Sequence, residues 1–224
     1  MFQYILVESP YAVLVCVVVI AGLWTSNLAY DHGVPHYISR KIGHVAGGLA
    51  FTIGVLFFTS AWWPIILSTL FSALLVGARF MRPQTFRGVG GSSRTGTLSE
   101  VWFALVAIPV FAISWLWLQK PFVALACLLF MAWGDCVTGI VRAKVYHRPT
   151  KGLWGSFGMF LICISISWVL IRPFWIGVVG AFVATATEWS FGEDGLIKRA
   201  DDNWAIPLIS LSTILCIMWL SGNL

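Results

Sequence analysis

The chain has 224 residues, of which 59% are hydrophobic and only 10% are charged, and its formal net charge is +5. A soluble domain with this composition would aggregate, so the composition excludes that class and predicts an integral membrane protein. The five cysteines lie in apolar segments without a Cys-x-x-Cys spacing. The sequence therefore suggests neither a disulfide framework nor a zinc site.

Eight apolar segments qualify, or nearly qualify, as membrane-spanning helices, each of which needs about 20 residues. They are residues 10–30, 42–59, 62–80, 98–118, 122–141, 154–171, 174–190 and 204–220. The connections after the second, fourth and sixth segments are very short, which predicts three helical hairpins. We expect an all-α polytopic membrane protein with about eight spans, forming a single transmembrane domain over residues 1–224.

The charged residues concentrate in the four longer connections between these segments. These connections are residues 31–41, 81–97, 142–153 and 191–203. With eight spans they all emerge on one side, and of the bases only Lys120 and Arg172 lie toward the opposite side. The positive-inside rule then predicts that the four connections are cytoplasmic and that both termini lie outside.

The stretch "LLFMAWGDCVTG" places Asp135 inside an apolar segment. An acid at the bilayer centre costs about 2.5–3.5 kcal/mol on insertion scales, so Asp135 is expected to face the protein interior or a wet cavity. A buried structural ion pair or a protonated carboxyl group is the alternative.

Basic residues cluster at the start of the second span, in "SRKIGHVAGG". The spacing of Arg40, Lys41 and His44 puts all three side chains on one helix face. Two cations and an imidazole suit a phosphate group or an alcohol awaiting deprotonation. Anchoring to lipid headgroups is the alternative for Arg40 and Lys41.

The connection before the fourth span is rich in glycine, hydroxyl groups and arginine. A phosphate-loop motif is rejected because Thr97 stands where that motif needs lysine and no strand precedes it. Gly96, Thr97 and Ser99 could still present N–H and hydroxyl groups to an anion at the helix N-terminus, although a helix cap is the alternative. Lys151 adds a cation just before the sixth span.

Acidic residues frame the last connection. Glu188 ends the seventh span, and Asp201, Asp202 and Asn203 precede the eighth. Together with Asp135, these oxygen ligands could hold magnesium on substrate phosphates, whereas ordinary surface turns are the alternative for any one of them. The sequence thus combines cations that can bind phosphates with acids that can bind a metal, at the edge of a membrane. This combination predicts phosphoryl transfer to an acceptor dissolved in the membrane.

Several segments, in order, resemble the family of CTP-dependent lipid-alcohol kinases that includes dolichol kinase and phytol kinase. They are "RKIGH" at 40–44, "GTLSE" at 96–100, "WGDCVTG" at 133–139, "KGLWGS" at 151–156, Glu188, and "DDNWAIP" at 201–207. The resemblance implies an enzyme that uses CTP and a divalent cation such as Mg²⁺ to phosphorylate an isoprenoid alcohol at the cytoplasmic face, with membrane lipids but no nucleic-acid polymer as partners.

The resemblance also implies roles for individual residues. Asp135 would be a metal ligand or an essential acid, Lys151 would bind the CTP phosphates, and Asp202 with Asn203 would complete the site. The residues at 40–44 would flank the acceptor or the phosphates. This chain departs from the family pattern at Gly152, where a hydroxyl residue is usual, and at Arg142, where a glycine is usual.

Three sets of site residues are therefore predicted. The catalytic set is Asp135, His44 and Lys151. The nucleotide-binding set is Arg40, Lys41, Gly96, Thr97, Lys151 and Asn203. The metal-binding set is Asp135, Glu188, Asp201 and Asp202.

Three other functions stay open at this stage. A diacylglycerol kinase would need the same polar residues, since only the acceptor differs. A cytidylyltransferase that makes a CDP-lipid would need similar cations and metal ligands. A transporter would use Asp135 in an ion path, and the absence of a detectable inverted repeat argues mildly against it.

Overall fold

The computed structural model describes residues 2–82, 84–90, 98–147, 151–192, 195–197 and 200–224, with side chains from residue 7 onward. Within these residues the chain is helical and contains no strand. The α-helices are α1 (Phe2–Asp31), α2 (His36–Phe57), α3 (Trp62–Met81), α4 (Ser99–Leu105), α5 (Ala107–Val110), α6 (Pro121–Leu129), α7 (Asp135–Val141), α8 (Leu153–Leu170), α9 (Phe174–Ser190) and α10 (Asp202–Leu220). Three π-helical segments, Phe111–Trp117, Phe130–Gly134 and Arg142–Tyr146, join or extend them.

Among the described residues, six helices are long and apolar enough to cross a membrane. They are Val7–Asp31, Trp62–Met81, Ser99–Trp117, Pro121–Tyr146, Leu153–Leu170 and Asp202–Leu220. The prediction of an all-α, multi-pass membrane protein is therefore confirmed. Helices α2 and α9 occupy the second and seventh predicted spans, but α2 carries charged residues in its first half and α9 has only 17 residues.

Three helix boundaries differ clearly from the prediction. Helix α1 begins at Phe2 rather than at residue 10. Helix α2 begins at His36 rather than at residue 42, so Arg40 and Lys41 lie inside a helix instead of in a connection. The central helix continues to Tyr146 rather than ending at residue 141, because its last turn is π-helical. The extensions of α2 and of the central helix each carry two basic residues, Arg40 with Lys41 and Arg142 with Lys144, which a hydropathy pattern excludes from a span.

The helix Pro121–Tyr146, which combines α6, α7 and two π-helical segments, is the core of the bundle. In its apolar window 83% of the residues are buried, against at most 44% in the other five candidate spans. It packs against α2, α8, α9 and α10. Asp135 is therefore surrounded by protein rather than by lipid.

The described parts of the longer connections lie at one end of the bundle. The carboxylate of Asp31, at the end of α1, is 2.7 Å from the guanidinium of Arg87 in the connection 81–97. The Asn27 side chain accepts a hydrogen bond from the backbone N–H of Gly88, which fixes the same segment against α1. Residues 84–90 thus lie against the end of α1 and the start of α2, where the Ser39 hydroxyl donates to the Gly88 carbonyl at 2.8 Å.

The opposite end of the bundle holds one buried acid. Glu8, 5% exposed, accepts hydrogen bonds from the backbone N–H and the hydroxyl of Thr59 at 2.8 and 2.6 Å. Glu8 therefore caps the turn between α2 and α3, which is a structural task remote from the other acids.

Candidate functional site

Three carboxylates converge at the end of the bundle that carries the longer connections. Asp135, Glu188 and Asp202 each offer an oxygen atom within 4.8 Å of the other two. Asp135 comes from the central helix, Glu188 from the end of α9 and Asp202 from the start of α10. Asp135 and Glu188 are 4% and 0% exposed, whereas the side chain of Asp202 is 24% exposed. We call these three residues the acidic cluster.

Local helix geometry positions Asp135. It directly follows the π-helical segment Phe130–Gly134, and such bulges often occur at functional sites because they reorient the next side chain. The hydroxyl of Thr138 lies 2.8 Å from the Asp135 carbonyl oxygen and 3.2 Å from its Oδ1. At Gly134, an added Cβ would lie 3.0 Å from the Cys163 sulfur, so the helix can approach α8 closely at this point.

Helix α2 supplies two partners for Asp135. Lys41 Nζ lies 2.5 Å from Asp135 Oδ2, and His44 Nδ1 lies 3.3 Å from the same oxygen. The Lys41 side chain crosses Gly139 to reach the acid, and a Cβ at Gly139 would lie 2.6 Å from Lys41 Cε. The glycine in the "WGDCVTG" stretch therefore provides the space through which the ion pair forms.

Glu188 has two cationic partners of its own. Its Oε1 accepts a hydrogen bond from Arg142 and lies 3.1 Å from Lys151 Nζ. Lys151 Nζ also lies 3.7 Å from Asp202 Oδ2 and donates to the backbone carbonyls of Glu188 and Phe191. The other carboxylate oxygen, Glu188 Oε2, is buried without a hydrogen-bond partner among the described residues.

Asp201 and Asn203 have different partners from Asp202. Asp201 is the N-cap of α10, and its Oδ1 accepts from the backbone N–H of Asn203 at 2.9 Å. Its Oδ2 accepts from the Ser99 hydroxyl, and the Asn203 amide donates to the Ser99 carbonyl at 2.9 Å. These bonds join the start of α10 to the start of α4, and Asp201 lies outside the acidic cluster.

The structure thus brings six of the predicted site residues together. They are Lys41, His44, Asp135, Lys151, Glu188 and Asp202. Arg40 lies one helical turn from His44, at the end of a cavity described below. Gly96 and Thr97 lie outside the described residues, and their predicted contact with the nucleotide stays a prediction.

Arg142 is a site residue that the sequence analysis did not select. It follows Asp135 by two helical turns, a spacing that places both side chains on one helix face. That spacing could have identified it, but Arg142 fell in a basic connection where a solvated role is ordinary. Its guanidinium instead reaches Glu188, and its side chain is only 12% exposed.

A cavity of about 100 Å³ lies beside the acidic cluster, between α1, α2, α3 and α4. Its polar end is formed by Arg40, His44 and Glu100, and most of its remaining wall is apolar. Glu100 Oε1 is 3.4 Å from an Arg79 guanidinium nitrogen, and the Glu100 side chain is 8% exposed. Because His44 contacts both Asp135 and the cavity, it connects the acidic cluster with the cavity.

The residues of the acidic cluster fit a divalent cation. Three carboxylates are hard oxygen ligands of the kind that Mg²⁺ and Ca²⁺ bind. Glu188 Oε2 is a buried acceptor without a hydrogen-bond partner among the described residues, so it has lone pairs to offer a cation. Lys41, Arg142 and Lys151 surround the acids and are the cations available for a polyanionic ligand.

Comparison of the chain with protein-family models, with curated proteins and with solved structures finds no match.

Proposed function

We propose that this protein is a membrane kinase that transfers the γ-phosphate of CTP to the hydroxyl group of a lipid alcohol. The observation that carries the proposal is the joint arrangement of three carboxylates and three cations, buried in a bundle of apolar helices beside a largely apolar cavity. A site of this composition suits a water-soluble polyanion on one side and a lipid on the other.

Phosphoryl transfer asks a protein mainly for positioning and charge neutralisation. Lys41, Arg142 and Lys151 are the groups that would bind the triphosphate. Each of them is paired with a carboxylate, which offsets the cost of its burial. A triphosphate would compete for these cations, so ligand binding exchanges one set of ion pairs for another.

The carboxylates of Asp135, Glu188 and Asp202 would hold the divalent cation. When bound, that ion would neutralise charge on the phosphates. Asp202 is the most exposed of the three, so a nucleotide would reach the cluster from its side. The ion and the phosphates together would then replace the present acid–base pairing.

His44 is the group best positioned to take the proton of the acceptor hydroxyl. It lies on the cavity wall, it is 6% exposed, and its Nδ1 is 3.3 Å from the Asp135 carboxylate. A carboxylate beside the imidazole stabilises the imidazolium that forms when the proton is taken. The Phe103 ring, 4.6 Å away between centroids, packs against the imidazole and restricts its orientation.

The choice of CTP and of an isoprenoid alcohol rests on the resemblance of the ordered motifs to dolichol and phytol kinases. The same resemblance supports an active site on the cytoplasmic face. In the proposed topology all eight long helices cross the membrane, including α2 and α9, and both termini lie outside. The gathering of the longer connections at one end of the bundle, together with their basic residues, supports this orientation.

The test is transfer of label from nucleotide to lipid by the purified protein in vesicles containing either an isoprenoid alcohol or diacylglycerol. CTP labelled at the γ-phosphate is expected to label the isoprenoid alcohol, and CTP labelled at the α-phosphate is expected not to. Lipid labelling from the α-position alone would indicate a cytidylyltransferase. If diacylglycerol is labelled in preference to the isoprenoid alcohol, the protein is a kinase whose acceptor is diacylglycerol. If no lipid is labelled from either position, the proposal is refuted.

A further inference from the structure

We propose that the cavity between α1, α2, α3 and α4 binds a single apolar lipid tail along its length and limits the length of that tail. The hydroxyl end of the lipid would lie at Arg40, His44 and Glu100, and the far end of the tail at Phe58 and Pro64. The identity of the lipid as an alcohol rests on the proposed function, whereas the position of the tail rests on the cavity alone.

The length of the cavity follows from the helix that forms its wall. Lining residues occur from Arg40 to Gly54 on one face of α2, and at about 1.5 Å per residue this face is about 21 Å long. The hydrocarbon core of a bilayer is about 30 Å thick, so one leaflet accounts for about 15 Å. The cavity is therefore deeper than one leaflet, which suits one long, extended tail.

The width of the cavity favours one tail rather than two. Gly43 and Gly47 allow neighbouring side chains to approach α2, since a Cβ at these positions would lie 2.7 Å from Val89 Cγ1 and 2.3 Å from Phe103 Cε1. The Val89 side chain, from the connection 81–97, and the Phe103 ring of α4 narrow the space beside α2.

The two ends of the cavity differ in chemistry. Beyond the polar end, the lining side chains other than Ser68 are apolar. At the far end Phe58 stacks on Trp63 with 6.0 Å between ring centroids, and a Cβ on Gly54 would lie 3.5 Å from Pro64. The rings and the close approach of α2 to α3 narrow this end. A lipid with one small polar group and one long tail therefore fits in a single orientation.

Photocrosslinking tests the position of the tail without relying on catalysis. The probe is a geranylgeraniol analogue with a diazirine at the end remote from the hydroxyl, bound to the full-length protein in vesicles without nucleotide. We expect saturable adducts on the peptides that contain Phe58 or Pro64, displaced by unlabelled geranylgeraniol but not by diacylglycerol. Adducts confined to lipid-facing positions, or displacement by diacylglycerol alone, would overturn the proposal.

A pair of variants tests the limit on length. Ser68 lines the cavity one helical turn from Pro64, so Ser68→Phe would place a ring inside the cavity. Thr69→Phe adds the same ring at the neighbouring, exposed position. Ser68→Phe is expected to lower the yield of the far-end adduct about tenfold, the factor that corresponds to about 1.4 kcal/mol. Thr69→Phe should leave the yield unchanged, and equal effects of the two variants would contradict the proposal.

Crosslinking of a short alcohol shows whether Ser68→Phe blocks the far end of the cavity or misfolds the protein. Octanol carrying a terminal diazirine is too short to reach Ser68, so Ser68→Phe should still crosslink it near the polar end. Loss of the octanol adduct as well would mean that the far end does not act as a separate length limit. If the far-end adduct forms but no phosphate is transferred, the tail site stands and the kinase proposal fails. If long alcohols are phosphorylated and Ser68→Phe has no effect on that reaction, the kinase proposal stands and the tail site fails.

Discussion

Asp135 is a buried acid with two partners on a neighbouring helix. Lys41 and His44 both approach its Oδ2, and Thr138 contacts its Oδ1. A buried charge is tolerated when it is paired and hydrogen-bonded, and these contacts meet that requirement. The ion pair accounts for the presence of Asp135 in the core, whereas its proximity to Glu188 and Asp202 supplies the reason for a functional role.

Replacing Asp135 by Asn should preserve volume and membrane insertion while removing the charge. We expect Asp135→Asn to lower lipid phosphorylation at least about 100-fold, roughly 2.7 kcal/mol of barrier, because a metal ligand and the partner of His44 are lost together. Phosphate transfer to lipid by purified protein measures the effect. Asp31→Asn, which removes the exposed partner of Arg87, is the control and should keep normal activity. Near-normal turnover by folded Asp135→Asn would make the acid purely structural.

Variants of Lys41 should show that the ion pair with Asp135 contributes to both stability and activity, and that the two effects can be measured separately. Lys41→Met leaves the Asp135 carboxylate without its closest cation, and breaking such a buried pair costs about 3–5 kcal/mol. The double variant Lys41→Met/Asp135→Asn removes both charges, so we expect it to recover most of the stability but none of the activity. Thermal unfolding in detergent and phosphate transfer measure the two effects. If the double variant is as unstable as Lys41→Met, the pair is not the source of the destabilisation.

At the scale of elements, the central helix depends on π-helical turns and on glycines at its crossings. Asp135 and Arg142 both stand at junctions between α-helix and π-helix, which changes the direction of the side chains that follow. Gly48 of α2 lies against the Trp133 indole, where a Cβ would be 2.1 Å from its nitrogen. Gly139 then admits the Lys41 side chain, so one helix–helix contact sets both the packing and the ion pair.

A methyl group at Gly139 should disturb the ion pair without breaking the helix. Its Cβ would lie 2.6 Å from Lys41 Cε, and because a lysine side chain is flexible we expect it to move rather than to unfold the protein. Gly139→Ala should lower activity about tenfold, roughly 1.4 kcal/mol, with little change in the unfolding temperature. Gly77→Ala is the matched control, since nothing lies within 4 Å of a Cβ there, and it should stay active. Equal activity in the two variants would show that the position of Lys41 does not matter.

At the scale of the whole molecule, the polar groups are divided unequally between the two ends of the bundle. The acidic cluster and its cations lie at one end, and the Glu8–Thr59 contact lies at the other. Between them the central helix is sheathed by helices that expose large apolar side chains, such as Trp24, Phe80 and Phe182, as lipid-facing surfaces do. This division gives the molecule one polar end for a soluble ligand.

Cysteine labelling should reveal the orientation of the two ends in a sealed membrane. Leu196, 81% exposed in the last connection, and Leu224, 45% exposed, are suitable positions for single cysteines. With eight crossings, a membrane-impermeant maleimide added outside should modify Leu224→Cys, and Leu196→Cys should react only after the membrane is opened. The unsubstituted protein gives the background from its own exposed Cys216. Modification of both positions from the same side would mean that the chain does not cross the membrane an odd number of times between them, and would contradict the predicted topology.

Several features of the fold and the site could be predicted from local sequence. The apolar segments predicted the helices because hydropathy is a property of neighbouring residues, and the polar boundaries at His36 and Tyr146 were missed for the same reason. The cost of an acid in lipid predicted that Asp135 would be buried in protein. The spacing of Lys41 and His44 predicted their shared face, and the two residues do approach one oxygen of Asp135.

The sequence by itself determined that this is an all-α membrane protein with an internal acid and basic connections, since composition and periodicity carry that information. Only the tertiary structure decided which polar residues meet. Asp201 and Asp202 are adjacent in the chain, yet Asp201 caps α10 and contacts Ser99, whereas Asp202 joins Asp135 and Glu188. The physical reason is that a side chain's partner depends on its direction and on how distant helices pack, which no local pattern contains.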